Sequence, residues 1–252
     1  MKITFLGTAG SLMAENRGYP AILINDDLLL DCGEGTTQKL IQLKSIDKLR
    51  IICLTHLHND HFMGLFSLLW HLWIYKRRKK LEIIGPVGIK YTIETILDLI
   101  NTPEHMKSFQ IEFTELENSD KIHLLKEKYT LESAHVEHGI PALAYRIEES
   151  GRSICYTGDS KPTKNLERLA KNCDLLISEA TLPSKFADFA HTHFHMTPED
   201  AASLALKASC KRLALFHISS YFLDQLNNFK IEAKKIFNNE VILAEDLMKL
   251  DV

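Results

Sequence analysis

Residues 56–61 read HLHNDH and place His56, His58, Asp60 and His61 within six positions. Imidazole and carboxylate together are ligands for divalent cations, whereas a closed structural zinc site usually draws on cysteine. A lone histidine is more often a satisfied structural residue than a ligand. Four donors in the pattern HxHxDH are not explained that way. The mixed set reads as an open site suited to two divalent ions, for which zinc fits best, with manganese or iron as alternatives.

The elements around the motif must bring it to an edge. The run 50-RIICLT-55 reads as a continuous buried strand that ends at the cluster. Side chains two apart on a strand share a direction, so His56 and His58 point the same way, and a tight loop carries Asp60 and His61 beside them. Ligands beyond the carboxyl end of a strand are the usual placement in an α/β protein. Upstream, KITFLG, AILIND and DLLLD are short β-type runs separated by turns, and a helix is expected from Thr36 to Lys44. After the motif, 62-FMGLFSLLWHLWIY-75 predicts a helix buried on most sides, followed by the KRRKK run of 76–80, the strand LEIIGP and a helix over Val87 to Ile100. The second half repeats the style, with strands at QIEFTEL, KIHLL, YTLESAHV, ALAYRIEE, RSICYTGD, DLLISEA, RLALFH and EVILAE. Between them come helices over Thr163 to Ala170, from 197-TPED-200 onward, and over Leu223 to Phe237. Thr197 before Pro198 with acidic residues in the first turn is a strong helix start. Two β-rich halves with covering helices predict an α/β fold of four layers: two mixed sheets packed face to face, flanked by helices.

Composition narrows the class. The chain has 252 residues, 45% apolar and 25% charged, and no Pro/Gly/Ser-rich linker, so one domain over 1–252 is expected. The formal net charge of −3 argues against bulk coating of nucleic acid. Five scattered cysteines without a CxxC fit a reducing, cytoplasmic setting. No signal peptide or membrane span is expected. There is no GxSxG elbow, and 7-GTAGS-11 lacks the GK[ST] of a phosphate-binding loop. The dense basic run of 76–80 reads as a solvated helix end, with contact to an RNA backbone as the functional alternative. The apolar segment Phe62 to Tyr75 could help bury a homodimer interface, and would equally serve a monomer's core.

The motif 55-THLHNDH-61 resembles the THxHxDH signature of the metallo-β-lactamase superfamily. Within that superfamily the chain is similar to the ribonuclease Z branch, on 5-FLGTAGS-11, 16-NRGYP-20, 31-DCGEGT-36, 85-GPVG-88, 138-HGIPALAYRI-147, 158-GD-159 and 195-HMT-197. The resemblance implies His56, His58, His138 and Asp159 on one ion, and Asp60, His61, Asp159 and His217 on the other. Asp159 and His217 each follow an apolar β-type run, ICYTGD and RLALFH, which places them at the same rim. Spacing alone does not choose between His135 and His138; the following IPALAYRI favours His138. Asp31 in DCGEG either orients a metal-bound imidazole or caps its turn. His71, His105 and His123 have no motif support and read as structural.

The resemblance also implies a mechanism. Two ions lower the pKa of a bridging water, which attacks a phosphodiester. Asp60 is the implied general base and His195, of HMT, the implied general acid, with His193 as its rival. Arg17 lies in a loop that this branch places near the site, where a guanidinium can hold a phosphate oxygen. Two departures bear on substrate. The hairpin 148-EESGRSICYTGD-159 has no room for the long arm with which ribonuclease Z enzymes grip tRNA, and the HEAT element reads 178-SEAT-181. The expected substrate is therefore a phosphodiester, as an RNA end or a small or cyclic diester. The alternative is a thioester or lactone hydrolase of the glyoxalase kind, which shares HxHxDH. A β-lactamase proper commonly has cysteine in place of the bridging aspartate, and a non-catalytic scaffold usually loses ligands; Asp159 and the full donor set argue against both.

Overall fold

The computed structural model describes residues 1–117 and 128–252, together with the backbone of 121–124. The first half contributes β1 (Lys2–Gly7), β2 (Ala21–Ile24), β3 (Leu28–Leu30), β4 (Ile51–Cys53), β5 (Leu81–Pro86) and β6 (Ile111–Leu116). The second half contributes β7 (Lys121–Leu124), β8 (Tyr129–Val136), β9 (Ala142–Glu149), β10 (Arg152–Tyr156), β11 (Leu175–Glu179), β12 (Arg212–Phe216), β13 (Glu240–Leu243) and β14 (Lys249–Asp251). The helices are α1 (Thr36–Gln42), α2 (Asn59–Phe62), α3 (Gly64–Ile74), α4 (Ile89–Leu99), α5 (Lys164–Leu169), α6 (Ala187–Thr192), α7 (Pro198–Lys207) and α8 (Leu226–Lys234).

Two seven-stranded sheets result, in the orders β14-β1-β2-β3-β4-β5-β6 and β13-β12-β11-β10-β9-β8-β7. Both are mixed: β3 to β6 run parallel, as do β10 to β13, and the remaining pairs are antiparallel. Strand alternation builds the layers. In β4, Ile51 and Cys53 face the other sheet while Ile52 faces the helices; in β11, Leu175 and Ile177 face inward and Leu176 outward. The central core therefore joins Phe5, Ile22, Tyr145, Tyr156 and Phe216 from both sheets, and one outer core lies under each helical layer. Strands buried on both faces explain the unbroken apolar runs of the sequence. The expected four-layer sandwich is the observed architecture.

Several elements differ from their sequence reading, among them the short helix α6, which the sequence reading passed over between DLLISEA and TPED. Asp60 and His61 sit on the short helix α2, not in a loop, because the chain turns helical once His58 has adopted an extended conformation at its N-cap. The helix expected from Leu223 opens instead as a 3-10 turn over Ser220–Gln225, and α8 runs only from Leu226 to Lys234. The final strand β14 was not foreseen: it returns to the first sheet and pairs with β1, Ile3 opposite Leu250. The KIHLL run forms β7 over its described backbone, and the side chain of His123 lies outside the described residues. Among the described residues no helix is long and apolar enough to cross a membrane.

Candidate metal centre

The donors gather where strands of both sheets end on one rim. His56 and His58 follow β4, Asp60 and His61 ride on α2, His138 follows β8, Asp159 follows β10 and His217 follows β12. Two bonds stitch the sheets together beneath them: Leu143 N–H donates to Thr55 O at 2.9 Å, and the Tyr145 hydroxyl donates to Leu54 O at 2.6 Å. The backbone comes close here. A Cβ on Gly158, which has φ +56°, would stand 3.0 Å from Thr55 Cβ, and one on Gly64 would stand 2.0 Å from Gly33 O. Gly64 lets the start of α3 close on Cys32 and Gly33, and Gly158 lets the loop after β10 close on Thr55 of the motif.

Three donor groups form among the described residues; two carry the HxHxDH motif, and the third, Glu179, His195 and His217, shares His217 with the second. His56, His58 and His138 make the first, and Asp60, His61, Asp159 and His217 the second. In the first, Nδ1 of His58 lies 3.1 Å from Nε2 of His56 and 2.9 Å from Nε2 of His138, so three ring nitrogens converge on one point. In the second, His61 Nε2 stands 3.3 Å from Asp159 Oδ1, and His217 Nε2 stands 3.2 Å from Asp159 Oδ2 and 3.4 Å from Asp60 Oδ2.

Polar neighbours set which nitrogen is bare. His56 Nδ1 meets the Thr55 hydroxyl at 3.0 Å, and His61 Nδ1 donates to Asp31 at 2.8 Å. His217 Nδ1 meets the Thr181 hydroxyl at 2.9 Å, and His138 Nδ1 meets Phe194 O at 3.4 Å. With Nδ1 protonated in each, Nε2 presents a lone pair to the centre, the arrangement that fixes metal-binding imidazoles. The buried atoms His61 Nε2 and Asp159 Oδ1 face each other without a hydrogen bond. Orphaned buried donors of opposite affinity for protons fit a cation between them.

Electrostatics agree. Burial, together with its neighbouring imidazoles, pushes His56 well below its ordinary range despite Asp159. Burial likewise lowers His58 and His138, which keeps all three rings neutral and able to bind a cation. Burial raises Asp60 and Asp159, but His217 and His61 outweigh it, and both carboxyls fall below the usual range. Burial opposes the charge on His61, yet Asp159 and Asp31 raise it well above normal. The second group thus holds a net attraction for positive charge.

Sequence reading reached these seven positions. His138 is the histidine at the centre; His135 turns away and contacts Glu117 O. Asp31 orients rather than merely caps, accepting from Thr55 N–H at 2.7 Å, from His61 and from the Tyr156 hydroxyl at 2.8 Å. His195 stands beside the second group, its Nδ1 3.1 Å from Glu179 Oε2, while His193 is exposed and stacks on Phe189. His71 stacks on Tyr75 and His105 lies on a surface turn. Arg17 is 7% exposed, donates to the Thr8 hydroxyl at 3.0 Å and lines a cavity of about 500 Å³ with Asn16, Glu245 and Asp246. Arg77 of the basic run is a structural tie, donating to Lys79 O at 2.9 Å and to Leu49 O.

Glu179 was missed. It is fully buried at the end of β11 and accepts from Ser160 N–H at 2.6 Å, the Thr181 hydroxyl at 2.7 Å, Met196 N–H at 3.0 Å and His195. Burial works to lower His195, and Glu179 overcomes it, raising His195 to about 9. The signal was present: an acidic residue closing the apolar run DLLISEA, the same pattern that marks Asp159.

Comparison with known proteins agrees with this geometry. The profile of the β-lactamase superfamily domain matches residues 27–218. Ribonuclease Z of Methanosarcina acetivorans is 30% identical, the match covering 100% of this chain and 98% of the relative. Ribonuclease Z of Picrophilus torridus is 32% identical over 98% of this chain and 94% of the relative. The chain belongs to the ribonuclease Z group of the β-lactamase superfamily. The crystal structure of human tRNase Z, short form, superposes with a TM-score of 0.84 at 30% identity, covering 100% of this chain and 99% of that one. This member of the superfamily is a metal-dependent hydrolase, and its histidine–aspartate clusters bind divalent metal. The alignment with the Methanosarcina relative runs over 307 positions against the 252 residues here, so that ribonuclease Z carries segments this chain lacks. In this chain β9 and β10 join directly through Ser150 and Gly151.

Proposed function

We propose that the chain is a dinuclear, zinc-dependent phosphodiesterase that cleaves RNA near an end, working as one domain over residues 1–252. The observation that carries this reading is the pair of donor groups, with Asp159 in the second and its charge felt by all three histidines of the first, beside the Glu179–His195 pair. His56, His58 and His138 would hold one ion, Asp60, His61 and His217 the other, and Asp159 both. Bound there, divalent ions lower the pKa of a water and polarise the phosphoryl oxygens.

The chain's own residues do the rest. Asp60, kept ionised, accepts the proton of the attacking water. Glu179 engages Nδ1 of His195, which leaves Nε2 to donate to the departing alkoxide. The Glu179 carboxylate beside it favours the protonated form of His195. Arg17 would hold a phosphate oxygen from the cavity it lines, in competition with Asp246 and Glu245. The direct β9–β10 turn supports an enzyme without an arm, acting on shorter or differently held RNA than its relatives. A cytoplasmic enzyme, able to pair as a homodimer through the Phe62 to Tyr75 segment, completes the proposal.

The test is hydrolysis of bis(p-nitrophenyl) phosphate, a thioester and an RNA with a 3′ extension by zinc- and manganese-loaded protein, with Asp60→Ala as control. Diester cleavage that disappears in Asp60→Ala supports the reading. Thioester cleavage alone would move the chain to the glyoxalase-like class and remove His195 from the mechanism.

A further inference from the structure

Phe194 adopts φ +62°, a region that bulky residues rarely enter. Such strain persists where the surroundings impose it, and it gathers at functional sites. Two backbone consequences are visible. The Phe194 carbonyl receives His138 Nδ1 at 3.4 Å, and the chain delivers His195 to Glu179. Neither needs a phenyl ring, and glycine would reach the same conformation without strain. Packing does not explain the ring either, because Phe194 belongs to none of the three apolar cores among the described residues.

The ring stands half-buried at the lip of the centre, its centroid 6.4 Å from that of His138 and its plane at 75°. The Lys161 ammonium lies over it, 5.5 Å from the centroid. Lys161 is itself held: its N–H donates to Glu137 O at 3.2 Å and its Nζ pairs with Glu137 at 2.7 Å. Three loops, those following β8, β10 and α6, thus fix one aromatic plane against the donor groups.

We infer that Phe194, backed by Lys161, forms a nucleobase subsite: the phenyl ring stacks the base of the nucleoside attached to the scissile phosphate. Lys161 lies over the ring, and the ring is only half-buried, which leaves it surface to meet a base. An aromatic face suits every base, so the subsite selects for a nucleoside and is tolerant of sequence. This rests on the phosphodiesterase reading and deepens it, naming the side chain that makes the site prefer a nucleoside-bearing diester to a base-free one.

The experiment is a calorimetric titration of the zinc-loaded full chain with uridine 5′-monophosphate and with methyl phosphate. Wild type should bind the nucleotide about tenfold more tightly, within the range of base–aromatic stacking. Phe194→Leu and Phe194→Gly should lose that preference, and Phe194→Trp should keep it. Phe194→Gly accepts the positive φ, so its fold is secure. A wild type without preference, or a Phe194→Gly that keeps it, overturns the subsite. Hydrolysis of uridine 5′-(p-nitrophenyl phosphate) and methyl p-nitrophenyl phosphate separates the two readings. A chain with a Phe194-dependent binding preference that cleaves neither ester supports the subsite and sinks the phosphodiesterase. Cleavage of both without a base preference keeps the phosphodiesterase and sinks the subsite.

Discussion

At the rim, a hydroxyl, carbonyl or carboxylate takes one nitrogen of each of His56, His61, His138 and His217 and leaves the other bare. Asp31 anchors this network, because it binds Thr55, His61 and Tyr156 together. Asp31→Asn keeps the shape and removes the charge; metal affinity should fall roughly 10–100-fold, as measured by competition with a chromogenic chelator. His195→Ala should lower turnover by about 10²-fold or more with metal content unchanged by atomic emission, the signature of lost proton transfer. An unchanged rate at full occupancy would remove His195 from the chemistry. His56, His58, Asp60 and His61 were legible because their types are rare together at such close spacing, whereas His138, Asp159 and His217 lie far apart in the chain and came through the family resemblance. The supporting roles of Thr55, Tyr156 and Thr181 were not legible, because nothing in a hydroxyl's place in the sequence reveals its partner; Glu179 left a signal, the acidic end of an apolar run, but not the identity of the histidine it holds.

Elements deliver these residues, and their ends matter more than their middles. Helix α7 opens with a complete capping box: the Thr197 hydroxyl accepts from Asp200 N–H at 3.3 Å, and Asp200 accepts from Thr197 N–H at 3.0 Å. Thr197→Ala should cost about 1 kcal/mol, a melting shift of about 2–4 °C for a chain of this size. Its proximity to His195 also predicts a drop in turnover, which calorimetry and kinetics on one preparation would separate. At the opposite end of the second sheet, Asp174 accepts from Ser153 N–H at 2.8 Å and from Lys211 at 2.7 Å, tying the starts of β10, β11 and β12. Burial raises the Asp174 carboxyl, but Lys211 and Ser153 prevail and lower it. A folded pKa below the unfolded one adds stability that is present above the ordinary carboxylate range and is lost as pH falls through the lowered value. Asp174→Asn should therefore destabilise at neutral pH and matter progressively less in acid, read from urea midpoints across pH. The start of α7 was plain in TPED, and the parallel strands were plain in their apolar runs. Helix α8 began late because Ser220–Gln225 first makes a tighter turn, and a three-residue edge strand such as β14 carries too little pattern to stand out.

On the scale of the whole molecule, the centre exists only where the two sheets meet. Its donors come from β4 and α2 on one side and from the ends of β8, β10 and β12 on the other. Ions bound to both sides add their binding energy to the folded state alone. Removal with EDTA should lower the melting temperature, and zinc should restore it up to two ions per chain; a midpoint indifferent to metal would separate the centre from the fold's stability.

The same arrangement dictates an order of events while the chain is being made. His56, His58, Asp60 and His61 emerge early, yet His138 arrives eighty positions after His58 and His217 later still. A nascent chain that already displays its signature motif therefore cannot close either donor group. The first group waits for His138 beyond β8 and the second for His217 beyond β12, so the motif is exposed as unmatched ligands well before either pocket for a cation is complete.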